Sequence, residues 1–302
     1  MISINFRRTI TLLFSTFLLS SCATSKIEVN KEEVLNSNSN NSLEQSKKIN
    51  RIVTLTSLST DIINNLDSSK LVAIPGSSLF KSKTEFDNLP RISMGRTPPN
   101  LEKIVSLKPD LVIGTKGFHD KILSKLNDVN INTFSYEVRS WNDLEQLISI
   151  ISSKLSLNPI EIVKNFNNNL LSNCIINTKN TNTNLIVLAS VKPLLSPNSN
   201  SWAGQMLDRF NLKNLTKNID SKSEFKGYVN LSSEWILKQD PDKLILVETR
   251  KDQFIDFAKN GPFSSLKAVR KNNVYRFNYY GLINPGSISS INNACKQLND
   301  IF

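Results

Sequence analysis

The chain has 302 residues, 37 of them Lys or Arg against 26 Asp or Glu, for a formal charge of +11, and 39% are hydrophobic. That length exceeds what one core needs, so two lobes are expected, and the lysines are scattered with no basic stripe interleaved with aromatics, which argues against a nucleic-acid surface. One His and nine Gly argue against an imidazole-rich metal site and leave no Gly-x-Ser-x-Gly elbow, Walker loop or Gly-x-Gly-x-x-Gly turn.

In chain order, Arg7 and Arg8 precede an apolar run over residues 10–19. Ten apolar residues rise about 15 Å as a helix, half the hydrocarbon thickness, so residues 1–21 read as an export signal and not a span. Leu19-Ser20-Ser21-Cys22 resembles the bacterial lipobox, which predicts lipidation at Cys22 and a membrane anchor through that lipid. Residues 22–50 are rich in Asn, Ser, Lys and Glu without an aromatic, and read as a flexible tether reaching roughly 30 Å r.m.s..

From Arg51 on, the chain carries a weak internal repeat. Ile52-Val53-Thr54-Leu55 and Leu185-Ile186-Val187-Leu188 are matching β-rich runs. Asn100-Leu101-Glu102 precedes Lys108-Pro109-Asp110-Leu111-Val112-Ile113, and Asn230-Leu231 with Glu234 precedes Asp240-Pro241-Asp242-Lys243-Leu244-Ile245. Each Glu stands seven residues before its Pro. Each copy reads as a capped helix, a stop and a buried strand, with Asn100 and Asn230 as N-caps. Pro109 and Pro241 end the helices, because the residue before a proline is pushed out of the α region. The strands lack alternation, as strands covered on both faces do. The expectation is an α/β fold of two lobes, 51–140 and 183–302, each with a mainly parallel sheet flanked by helices.

Between them, in the linker region 141–182, residues 141 to about 172 carry apolar positions at helical spacing with Asn158-Pro159 as a restart, and read as a largely helical, stiff connection or as the last helix of the first lobe followed by the first of the second. Cys174 and Cys295 would lie in an oxidising compartment where pairing is open to them. The simpler expectation is two small buried apolar side chains.

With these pieces placed, residues 51–302 resemble the cobalamin and iron-siderophore binding proteins of ABC importers. The match rests on the opening Arg51-Ile-Val-Thr-Leu-Thr-Ser-Leu-Ser-Thr-Asp-Ile and on Asn100-Leu-Glu-Lys-Ile-Val-Ser-Leu-Lys-Pro-Asp-Leu-Val-Ile. In the second half it rests on Ser233-Glu234, Pro241-Asp242, Pro262-Phe263-Ser264-Ser265-Leu266 and Asn273-Val274-Tyr275. The resemblance implies two α/β lobes joined by one long helix, in the manner of class III periplasmic binding proteins, with ligand held between them. It also implies a location in the periplasm or on the outer face of the cell membrane, with an ABC permease and its ATPase as partners. Glu102 and Glu234 would be the carboxylates, one per lobe, that dock to the permease.

Ligands in such folds sit beyond the carboxyl ends of the strands. Ser57, Leu58 and Ser59, then Lys116 and Phe118, then Lys192 and Trp202 occupy loops after strands. Trp202, Tyr279 and Tyr280 offer broad faces with polar tips for a large flat ligand, and Arg96 and Arg250 suit the anionic groups of a ferric chelate. The cobalamin-binding relative has a disulfide from residues 207–211 to the C-terminal helix. Cys295 fits one end, but Phe210 occupies the other region, so that bridge is expected to be missing. The residues around Arg96 also replace that relative's aromatic. Both departures lean away from cobalamin and toward an iron chelate, with a ferric siderophore, haem and cobalamin all left as ligands. His119 lies in a loop and reads as a solvated polar residue. No catalytic residue, cofactor or directly bound metal is expected, and the chain is read as not an enzyme. The competing readings are a surface lipoprotein acting as scaffold or sensor and, further off, a secreted hydrolase built on Asp/Glu pairs.

Overall fold

The computed structural model describes residues 48–94, 97–175, 182–220, 223–247 and 262–302. The expected signal, Cys22, nearly all of the tether, Arg96 and Arg250 lie outside the described residues.

The strands, in chain order, are β1 (Ile52–Thr54), β2 (Leu71–Ala73), β3 (Leu111–Thr115), β4 (Thr133–Tyr136), β5 (Asn184–Leu188), β6 (Ser190–Val191), β7 (Leu194–Pro197), β8 (Lys213–Asn214), β9 (Tyr228–Asn230), β10 (Lys243–Val247) and β11 (Val274–Phe277). The first four form one sheet in the order β2-β1-β3-β4, and a second runs β8-β5-β10-β11. Both are parallel throughout. The orders are the same when β1 is matched to β5, β2 to β8, β3 to β10 and β4 to β11, so the weak repeat in the sequence is a repeat of topology. An unanticipated third sheet, β6-β7-β9, is antiparallel. It turns the expected open loop after β5 into a hairpin, with Lys192 at its exposed tip.

The Pro-Asp pair has a structural job in both halves. Asp110 Oδ2 accepts from the Asn50 and Arg51 amides at 2.9 and 3.0 Å, and Asp242 Oδ2 accepts from the Asn184 amide at 2.9 Å. Each carboxylate therefore ties the start of one central strand to the start of its neighbour. Lys108 (φ 48°) and Asp240 (φ 38°), the residues before the prolines, both take the left-handed turn that leads out of the helix.

Strand residues alternate between an inner core and an outer one on each sheet. Ile52, Ile113, Leu185, Val187 and Ile245 face a shared inner core, whereas Val53 and Val112 face an outer one and Ile186, Leu188, Leu244 and Leu246 face another. The outer layer of the first sheet includes Ile104 of α2 (Leu101–Ser106) and Leu123 and Leu126 of α3 (Asp120–Asn127). The inner core is filled by α1 (Ser57–Asp67), α4 (Trp141–Lys154), α6 (Trp202–Arg209) and the C-terminal helix Ile288–Ile301.

Three expectations need correction here. The linker is not one long helix: α4 ends at Lys154, Ser156 takes φ 60°, and α5 (Pro159–Asn165) restarts under the Asn158 cap before a π turn over Phe166–Leu170. Asn230 is not an N-cap. It ends β9, and Ser232 caps α7 (Ser233–Gln239) by accepting from the Trp235 amide at 3.1 Å, as Asn100 accepts from Lys103 in α2. Cys174 and Cys295 are not separate thiols but a disulfide with Cα atoms 5.0 Å apart. It pins the end of the linker to the C-terminal helix, while Phe210 lies fully buried elsewhere in the same core.

The two halves are also tied by Asp61, a residue of α1 only 2% exposed. Its Oδ1 takes Lys83 Nζ at 2.7 Å and its Oδ2 accepts from the Ile288 amide at 2.8 Å. A carboxylate at that helix N-terminus meets both an orphan N–H and the positive end of the macrodipole.

Candidate functional site

A cleft of about 560 Å³ opens where the carboxyl ends of all four strands of the first sheet meet the segment after β11. Leu55 to Leu58 follow β1, Pro75 to Ser77 follow β2, Thr115, Phe118 and His119 follow β3, and Tyr136 to Val138 end β4. The opposite wall is Tyr280 and residues 284–286. Strand ends converge this way because parallel βα units put every βα loop on one edge of the sheet.

Thr56 organises the floor. Its hydroxyl caps α1, accepting from the Ser59 amide at 3.2 Å, and meets the Tyr136 hydroxyl at 2.5 Å. Burial pushes the Tyr136 phenol above its ordinary range, so it stays a neutral hydrogen-bonding group. Glu137 lines the cleft but pairs with Arg139, whose Nε donates to it at 2.7 Å. On the far wall Gly286 has φ 61°, and a Cβ there would come within 2.6 Å of the Tyr280 ring, so glycine lets the wall fold back against that tyrosine.

His119 departs from expectation. It is 5% exposed, not solvated, and lines the cleft. Its Nδ1 accepts from the Thr115 amide at 3.0 Å, and Phe118 packs on it edge-on with ring centroids 4.8 Å apart. Burial lowers its pKa, with the charge of Asp120 opposing, so the ring is neutral at pH 7. Gly114 makes room, since a Cβ there would meet the His119 Cβ at 3.0 Å. Among the described residues no group of three His, Cys, Asp or Glu side chains gathers as a metal site.

The residues singled out from sequence divide. Ser57, Leu58, Phe118 and Tyr280 line the cleft. Ser59 is fully buried, its hydroxyl 2.7 Å from that of Thr56, and supports the floor from behind. Lys116 is exposed beside Thr115, and Tyr279 is 43% exposed, edge-on to Tyr280 at 5.4 Å; neither lines this cleft. Lys192 sits away on the β6–β7 tip. Trp202 is 4% exposed and is packing, not a ligand face. Its ring stacks on Trp141 at 6.1 Å and its Nε1 donates to the Gly281 carbonyl at 2.8 Å, which braces the Tyr280 wall. Arg96 and Arg250 fall outside the described residues.

Glu102 and Glu234 are both exposed, and each is the second residue of its helix, α2 or α7. The backbone N–H of Glu234 and the Ser232 hydroxyl hold its carboxyl below the usual range. Pro99, three residues before Glu102, lines the cleft. Thr56, Tyr136 and residues 284–286 were not singled out from the sequence, and His119 was expected to be solvated. The position of Tyr136 at the end of β4 and of His119 in the turn after β3 was the available signal for two of them.

The family model described as periplasmic binding protein matches residues 52–279. A probable siderophore-binding lipoprotein of Bacillus subtilis (strain 168) is 25% identical over 274 residues, covering 83% of this chain and 82% of the relative. An Fe(3+)-citrate-binding protein of the same organism is 28% identical over 189 residues, 60% of this chain, and the chain spans 57% of that relative's length. Among solved structures, a possible iron-binding (periplasmic solute-binding) protein from Staphylococcus epidermidis ATCC 12228 superposes with a TM-score of 0.69 at 20% identity, over 84% of this chain and 99% of that one.

Proposed function

This chain belongs to the periplasmic binding protein family, and from that premise we propose that it is the extracytoplasmic solute-binding component of an ABC importer. It captures a metal chelate, a ferric siderophore or related iron chelate ahead of a cobalamin-like ligand, and hands it to a permease driven by its ATPase. The observation that carries the reading is the convergence of four strand ends and the residue 280–286 wall on one cleft. A volume of several hundred Å³ with few formal charges and many hydroxyls suits a bulky chelate bound by shape and hydrogen bonds. The siderophore and ferric-citrate names of the two Bacillus subtilis relatives support the ligand class. In this reading Cys22 carries a lipid, residues 22–50 tether residues 51–140 and 183–302 to the outer face of the membrane, and the chain carries its solute without catalysing a step. Arg96 and Arg250 lean the ligand toward an anionic iron chelate.

Glu102 and Glu234 occupy equivalent exposed sites in the two topological repeats and are the docking carboxylates. Charges presented this way orient the encounter more than they add affinity. Titration of the full chain with ferric siderophores, ferric citrate, haem and cobalamin, read by tryptophan fluorescence, is expected to saturate with at least one. No saturable response refutes the reading and leaves the scaffold or sensor role. The double variant Glu102→Arg, Glu234→Arg is expected to keep that affinity and to abolish uptake in cells. Normal uptake would remove the docking assignment.

A further inference from the structure

We infer that His119 is a ligand-contacting, specificity-determining residue that presents a fixed Nε2–H donor to an oxygen acceptor of the bound solute, and does not ligate metal. The inference deepens the solute-binding reading above and rests on it. Three observations carry it. First, the Thr115 amide donates to Nδ1 at 3.0 Å, so that nitrogen holds no proton and the neutral ring carries its proton on Nε2. Second, turning the ring over would set a ring carbon against the Thr115 N–H and lose that bond. Phe118 packs edge-on against it, and a Cβ at Gly114 would come within 3.3 Å of the ring Cγ, so the imidazole lies close against β3. Third, His119 lines the cleft, and its Nε2 has no hydrogen-bond partner among the described residues.

To ligate a metal through Nε2, the ring would have to move its proton to Nδ1, where it would face the Thr115 N–H head-on. The backbone thus enforces one tautomer and one role. A donor held in the cleft discriminates by chemistry: an acceptor oxygen on the chelate is rewarded, and a ligand that covers it with an apolar group leaves the N–H unsatisfied.

His119 is the only histidine in the chain, so its two nitrogens can be followed by ¹⁵N NMR without assignment. The wild type is first titrated with ferric desferrioxamine, ferric citrate and cyanocobalamin. NMR then uses cyanocobalamin or the diamagnetic gallium form of whichever chelate binds. The expected result is an unprotonated Nδ1 before and after binding, with an Nε2–H that shifts on binding. His119→Asn keeps an acceptor for the Thr115 amide but lacks the reach of Nε2, and is expected to bind about ten-fold more weakly at unchanged melting temperature. Wild-type binding with static imidazole signals, or an Asn variant of wild-type affinity, overturns this inference and leaves the solute-binding reading standing. Loss of the Nε2 proton on binding, or a visible band of the ferric chelate that shifts in the wild type and not in the variant, overturns it in favour of metal ligation. If none of the ferric siderophores, ferric citrate, haem and cobalamin of the titration above binds the wild type, the carrier reading itself fails and takes this inference with it. The NMR arm needs no substitution, so a variant that fails to fold does not block the test.

Discussion

His119 couples the cleft to stability as well as to recognition. Its folded pKa lies below the unfolded value of about 6.5 because burial disfavours the cation. Below pH 6.5 the unfolded chain takes up a proton that the folded chain does not, so this contribution is present above that pH and is lost as pH falls toward the folded pKa. Denaturant melts between pH 7.5 and 5 are expected to show a shallower decline for His119→Asn than for the wild type. Equal slopes would mean that the imidazole is not buried as described. Trp202 makes the opposite point at the same scale. A large aromatic in a loop after a strand looked like a ligand platform, yet its indole N–H is committed to the Gly281 carbonyl and its face to Trp141. Buried indoles take a polar partner, and a single sequence does not tell whether that partner is ligand or backbone.

Among the elements, the C-terminal helix carries the largest responsibility. Ser287 caps it, Asp61 from α1 binds its first amide, and Cys295 within it is bonded to Cys174 at the end of the linker. Asp61→Ala is expected to cost about 3 kcal/mol, because it strips a buried partner from Lys83 and from the Ile288 amide together; equilibrium urea unfolding reads this directly. The disulfide closes a separation of 121 residues. Paired Cys174→Ser and Cys295→Ser substitutions are expected to lower stability by about 3–4 kcal/mol, and dithiothreitol should lower the wild type by a similar amount and the variant not at all. A variant still sensitive to the reductant would contradict this. The helices that flank the sheets were more predictable than their ends. The α2 cap at Asn100 was readable, whereas the cap of α7 moved to Ser232 because β9 extends through Asn230.

At the scale of the whole molecule, the inner core is common to both sheets. Ile52 and Ile113 from one and Leu185, Val187 and Ile245 from the other belong to the same cluster with α4, α6 and the C-terminal helix. Opening the cleft by a large rotation would expose that surface, and burial of apolar area is what holds it. Ligand binding is therefore expected to leave the radius of gyration of the full chain, measured by small-angle X-ray scattering, essentially unchanged. A clear contraction on saturation would show that the halves hinge despite the shared core. The break of the linker at Ser156 does not alter this, since the disulfide and the Asp61 contact both bridge from the first half and the linker to the C-terminal helix.

What the sequence determined by itself was local or periodic. The Pro-Asp repeat marked two equivalent sheets, the unalternating apolar runs marked strands covered on both faces, and strand ends pointed to Ser57, Leu58 and Phe118 at the cleft. Those features depend on residues within about one turn or one strand of each other, where steric and hydrogen-bond rules act without knowledge of the fold. Only the tertiary structure decided that Cys174 meets Cys295, that Asp61 caps a helix 227 residues away, that Trp202 is packing, and that His119 is locked and buried. Each of those depends on which distant segment occupies the neighbouring space, and no spacing along the chain encodes that.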